Sequence, residues 1–112
     1  MKCFLITATF LIFSISAFAQ DTLYYPLVHH IVTRYNGTGG QDSSTIPIIV
    51  DELNKAFAPS RIQFYLYCNS IDTIKSENLY YMSYSKRYEL NSINVSNVIN
   101  IYYFGSILDD QN

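Results

Sequence analysis

The chain has 112 residues, of which 49% are hydrophobic and 14% charged, with seven Lys plus Arg against nine Asp plus Glu. That length holds one small domain, and the composition is too apolar for a disordered tail and too interrupted by polar residues for a bundle of membrane spans. A slight net negative charge without clustered Lys or Arg excludes a nucleic-acid partner that binds through the phosphate backbone.

Residues 1–19 read as a secretory signal peptide: Lys2, the apolar run Phe4 to Phe13, then Ala17-Phe18-Ala19 as a small-x-small cleavage site between Ala19 and Gln20. The run breaks at Ser14 and Ser16, short of the roughly 20 apolar residues a membrane span needs. A lipoprotein signal would need a cysteine just after the cleavage site, and Cys3 stands at the other end. The expectation is a secreted protein, extracellular or periplasmic, with no membrane attachment after cleavage and a single, incomplete α/β domain over residues 20–112. Only Cys68 then remains, so the fold is not a disulfide scaffold; the thiol is either a small buried group or paired with a cysteine outside this sequence.

Tyr24 to Arg34 is rich in β-branched and aromatic residues and runs into Asn36-Gly37-Thr38-Gly39-Gly40, which predicts a strand and a turn. The apolar stretch around Leu27, Val28, Ile31 and Val32 predicts a strand covered on both faces. Ser43, Ser44 and Thr45 offer a helix cap, with Pro47 in the first turn. Ile46, Ile49, Val50, Leu53, Ala56 and Phe57 share one helical face, which leaves Asn54 and Lys55 on or near the polar side, and Ala58-Pro59-Ser60 ends the helix. Ile62 to Cys68 alternates, with Ile62, Phe64, Leu66 and Cys68 on one face. Strand, helix and strand make a right-handed βαβ crossover, so the two strands should be parallel.

Ile71 to Ile74 is expected as a separate short strand, and Tyr80, Tyr84 and Tyr88 recur every four residues as on an irregular helix. Val98 to Phe104 is the last β-rich run, closed by Gly105. The fold class is therefore α/β (or α+β), with a mixed sheet of three to four strands and one backing helix.

Little in the chain carries chemistry. His29 and His30 are neighbours on a strand and point to opposite faces, so they cannot ligate one metal together. Asp51-Glu52 and Asp109-Asp110 read as solvated charge, and no phosphate-binding loop, G-x-S-x-G or H-E-x-x-H occurs. Asn36-Gly37-Thr38 and Asn94-Val95-Ser96 match the N-glycosylation pattern. No catalytic, metal or cofactor-binding residue is assigned.

Read in order, the segments Pro26 to Val32, Ile49 to Phe57, Ile62 to Leu66 and Asn97 to Tyr103 resemble the start of a pappalysin-type (cytophagalysin-like) zinc metallopeptidase of the metzincin group. The most specific part is Leu53-Asn54-Lys55-Ala56-Phe57 followed five residues later by Ile62-Gln63-Phe64. The resemblance implies a metzincin-like sheet built on these scaffold segments. The zinc, the H-E-x-x-H-x-x-G-x-x-H helix and the substrate-binding edge strand would belong to a later C-terminal part, the expected partner of this one, and the chain would be inactive alone. A sheet without its later strands should expose an edge around Ile99 and Ile101. Two other readings compete. One is a small secreted binding module that contacts a protein or glycan through Tyr65, Tyr67, Tyr80 and Tyr84; the other is an unrelated enzyme using His29 or His30 with an acidic partner.

Overall fold

The computed structural model describes residues 21–110. The expected signal peptide and its Ala19-Gln20 cleavage site lie outside the described residues. Strands β1 (Leu23–Thr33), β2 (Ile62–Lys75) and β4 (Ile99–Tyr103) form a parallel sheet in the order β2-β1-β4. Helix α1 (Ile46–Phe57) makes the crossover from β1 to β2. A four-residue helix α2 (Glu77–Tyr80), strand β3 (Tyr81–Ser83) and a 3-10 segment over Tyr84–Ser92 carry the chain to β4. Strand β5 (Ser106–Leu108) pairs in parallel with β3 as a separate two-stranded sheet. The architecture is mixed α/β, built on the expected βαβ unit. Among the described residues no helix is long and apolar enough to cross a membrane.

The central strand β1 is buried from Leu27 to Thr33, because partners flank it on both sides and elements cover both faces. Residues opposite each other on neighbouring strands share a face. Leu27, His29 and Ile31 therefore lie with Leu66, Ile99, Ile101 and Tyr103. On that same face the Phe57 ring at the end of α1 meets Phe64 edge-on, with centroids 5.2 Å apart. The opposite face carries Val28, His30 and Val32. There Val32 packs with Leu79 and Met82, bordered by Ile74, Tyr80, Leu90, Ile93, Tyr102 and Phe104. Each fully buried aliphatic of this kind contributes about 1.5–3 kcal/mol, and the cluster is small.

Four local expectations change. Asn54 is not on the polar side of α1: its side-chain amide donates to the Phe64 carbonyl at 3.0 Å, and its Oδ1 accepts from the Phe64 N–H at 2.6 Å. The amide thereby takes up the peptide groups of Phe64 that face away from β1. Ile71 to Ile74 is no separate strand, because β2 runs on through it past a bulge. Leu27 opposes Leu66 and His29 opposes Ile71, so Val28 alone faces Tyr67–Ser70. Cys68 and Asn69 turn the chain there with φ of 52° and 50°, which takes Cys68 out of the row of Ile62, Phe64 and Leu66 and leaves it exposed as a free thiol. Lastly, Tyr80, Tyr84 and Tyr88 do not share a helix. Tyr80 ends α2, whereas Tyr84 and Tyr88 sit on the 3-10 segment with the Arg87 guanidinium over both rings, at 3.8 and 4.1 Å.

Candidate functional site

Two side-chain constellations meet at Tyr102 of β4, which stacks on His30 and lines a cleft. The first is centred on His30, which is 1% exposed. Its Nδ1 lies 2.8 Å from Asp72 Oδ2 and its Nε2 lies 2.9 Å from Asn100 Oδ1, both within hydrogen-bond distance. The orientation of the Asn100 amide is fixed by the backbone. Its Oδ1 also accepts from the Val95 N–H at 2.9 Å, and its Nδ2 donates to the carbonyls of Val95 and Val98 at 3.0 and 3.3 Å. Both ring nitrogens thus face side-chain oxygens. Tyr102 stacks on this ring at 4.4 Å and donates its hydroxyl to Asn94.

This is a His–Asp pair of the kind the small-enzyme reading requires. As a catalytic base, however, it has no nitrogen to offer: the one distal to Asp72 is held by Asn100 beneath Tyr102. The resemblance segments do meet here, since His30 and Asn100 come from two of them.

On the opposite face His29 is fully buried, and its Nδ1 lies 2.9 Å from the Tyr103 hydroxyl. Its Nε2 is buried with no hydrogen-bond partner among the described residues. Burial, and secondarily the neighbouring His30, lower the His29 pKa, while burial raises those of Tyr102 and Tyr103. The fold therefore favours the neutral form of all three. For His29 the sign is direct: the unfolded ring takes up a proton near pH 6.5 and the folded ring resists it. Its contribution to stability is complete above that pH and is lost as pH falls through and below it. Urea midpoints measured from pH 7.5 down to 5 should therefore decline, and the decline should be shallower in His29→Gln, which keeps a polar partner for Tyr103 without a titrating ring.

The second constellation is a cleft of about 450 Å³ lined by Gly40, Gln41, Tyr80, Tyr102, Tyr103, Phe104 and Gly105. Its position follows from the topology. From β1 the chain crosses to β2 on one side, while β4 lies on the other, so the ends of β1 and β4 diverge at a switch point where parallel sheets leave a crevice. One wall is set by two glycines that cradle Tyr80. A Cβ on Gly105 would come within 2.0 Å of the Tyr80 ring, and one on Gly39, at φ +70°, within 2.5 Å of its hydroxyl. The Gly105 N–H also donates to the Tyr80 carbonyl at 3.0 Å. Arg34 covers the ring at 5.6 Å, bonds the Tyr81 hydroxyl and lies 3.6 Å from Glu77.

The residues present do not fit a zinc site. His29 and His30 point to opposite faces, both His30 nitrogens are engaged, and among the described residues no three His, Cys, Asp or Glu side chains gather around one point. Asp51 and Glu52 pair with Lys55 at 3.0 Å on the exposed face of α1, and Asp110 accepts from the Ser85 N–H. Tyr65 and Tyr67 stand on β2 and Tyr84 on the 3-10 segment; of the four tyrosines singled out in sequence, Tyr80 alone lines the cleft. The sequence pattern did not mark the cleft, whose only signal was Gly39-Gly40 and Gly105 at the ends of two strands. No family model, curated protein or solved structure matches the chain.

Proposed function

We propose that this chain is the N-terminal scaffold of a secreted metallopeptidase-like domain whose zinc-binding helix is supplied by residues outside it. The observation that carries this reading is that the segments bearing the resemblance hold one another. Asn54 and Phe57 of the helix motif clasp Phe64 of the following strand, and His30 of the first strand bonds Asn100 of the last. These spacings serve packing between elements, which is the role the resemblance gives them. The outer edge of β4 agrees with it: Ile99 is 43% exposed on an edge strand, with Ile101 half-buried beside it, and such an edge accepts a further strand. Catalysis needs about three protein ligands and a zinc-bound water, which in this reading come from the later part.

The test is to read the gene past codon 112 through about 600 bases in all three frames, looking for H-E-x-x-H-x-x-G-x-x-H. The reading expects the motif within that distance, and its absence in every frame overturns it. The second reading, a secreted binding module, is supported by the cleft at the ends of β1 and β4 rather than by a shared tyrosine surface.

A further inference from the structure

We propose that the cleft between the ends of β1 and β4 binds a neutral saccharide unit. The inference rests on the binding-module reading and is independent of the scaffold reading.

The cleft's volume, about 450 Å³, falls within the roughly 300–1,000 Å³ of small-molecule sites, and it lies at the kind of switch point where open parallel sheets bind ligands. No lining residue carries a charge. An ionic ligand entering it would shed water without meeting a counter-charge, which disfavours phosphates, carboxylates and amines. What the lining offers is tyrosine, an amide and backbone. Tyr102 and Tyr103 spend their hydroxyls on Asn94 and His29, whereas the Tyr80 hydroxyl has no hydrogen-bond partner among the described residues. Gln41 donates through Nε2 to Thr45 and keeps its carbonyl oxygen to accept. A ligand dense in hydroxyls, able both to donate and to accept, matches this set.

The aromatic faces argue against a flat aromatic ligand. Tyr102 lies between His30 at 4.4 Å and Phe104 at 5.8 Å, and Tyr80 is enclosed by Gly39, Gly105 and Arg34. Ring faces so occupied have little left for stacking, which leaves edge and hydroxyl contacts. His29 supplies a reporter, since ligand contact with Tyr103 is transmitted to its ring through their 2.9 Å hydrogen bond.

The experiment is an NMR titration of the purified full chain with cellobiose, maltose and chitobiose. Sialyllactose serves as the charged control and N-acetyltyrosinamide as the aromatic one. The expected result is saturable binding of at least one neutral disaccharide that shifts the Gly40 and Gly105 amides and the His29 ring, with sialyllactose weaker. Tyr80→Phe keeps the ring in its cradle and removes the hydroxyl, and should weaken binding about tenfold, the scale of one lost hydrogen bond. Should Tyr80→Phe disturb folding, Gln41→Ala, on an exposed loop, provides the second variant and should also weaken binding. If N-acetyltyrosinamide binds there and no sugar does, the saccharide assignment is overturned while the cleft remains a binding site. If no probe shifts these signals, or the shifts are unchanged in both Tyr80→Phe and Gln41→Ala, the site itself is overturned.

Discussion

Replacing Asn100 with leucine is expected to lower the stability of the fold by about 3–4 kcal/mol. The side chain fits a similar volume, so the loss does not come from a cavity. It comes from the groups left behind: the His30 Nε2, the Val95 N–H and the Val95 carbonyl all lose their partner in a part-buried setting, and each such orphan costs about 1–3 kcal/mol. Against a total of about 5–15 kcal/mol for a domain, that is a large share. Urea unfolding followed by circular dichroism measures it. Asp72→Ala removes the other partner of His30, but the Asp72 side chain is 50% exposed. Water replaces much of what is lost there, and the expected cost is below about 1 kcal/mol. Equal costs for the two variants would show that the backbone contacts of Asn100 do not hold the network.

Asn54→Ala should cost about 2–3 kcal/mol by the same assay. It frees both the N–H and the C=O of Phe64, and with them the tie that sets the distance between α1 and β2. Asn54→Asp separates the two bonds. A carboxylate still accepts from the Phe64 N–H but sets an oxygen against the Phe64 carbonyl, so its cost should approach that of alanine rather than that of wild type. A cost under about 0.5 kcal/mol for alanine would mean that the Phe57–Phe64 ring contact alone fixes the crossover.

The strands and the long helix were legible because they obey simple periods. Ile46, Ile49, Val50 and Leu53 mark one side of α1, Ile62, Phe64 and Leu66 one side of β2, and the short connections leave a parallel crossover as the available topology. Period says nothing of hydrogen bonding, however, and so Asn54 read as a polar-face residue when its amide in fact turns inward to a strand. The bulge at Tyr67–Ser70 was hidden because alternation resumes after it with shifted phase: Ile71 and Ile74 look like a new strand unless one knows that Cys68 and Asn69 have left-handed backbone. The tyrosine spacing of four misled for a related reason. A 3-10 segment with three residues per turn does not place positions four apart on one side. At the candidate site, the opposite placement of His29 and His30 followed from strand alternation, but the partners of His30 lie 42 and 70 residues away in sequence, beyond the reach of any local pattern.

The central position of β1 also has a kinetic consequence. This strand is made first and pairs on one side with β2, across the α1 crossover, and on the other with β4, more than 70 residues further along. Closing the shorter loop sacrifices less chain entropy, so the β1-α1-β2 unit can assemble while one flank of β1 is still bare. The His30–Asn100 bond then belongs to a late docking step, and the Asn54–Phe64 clasp to an early one. In the language of folding rates, Asn54→Ala should chiefly slow folding and Asn100→Leu chiefly speed unfolding, so one strand in the middle of three divides the route to the native state into two stages.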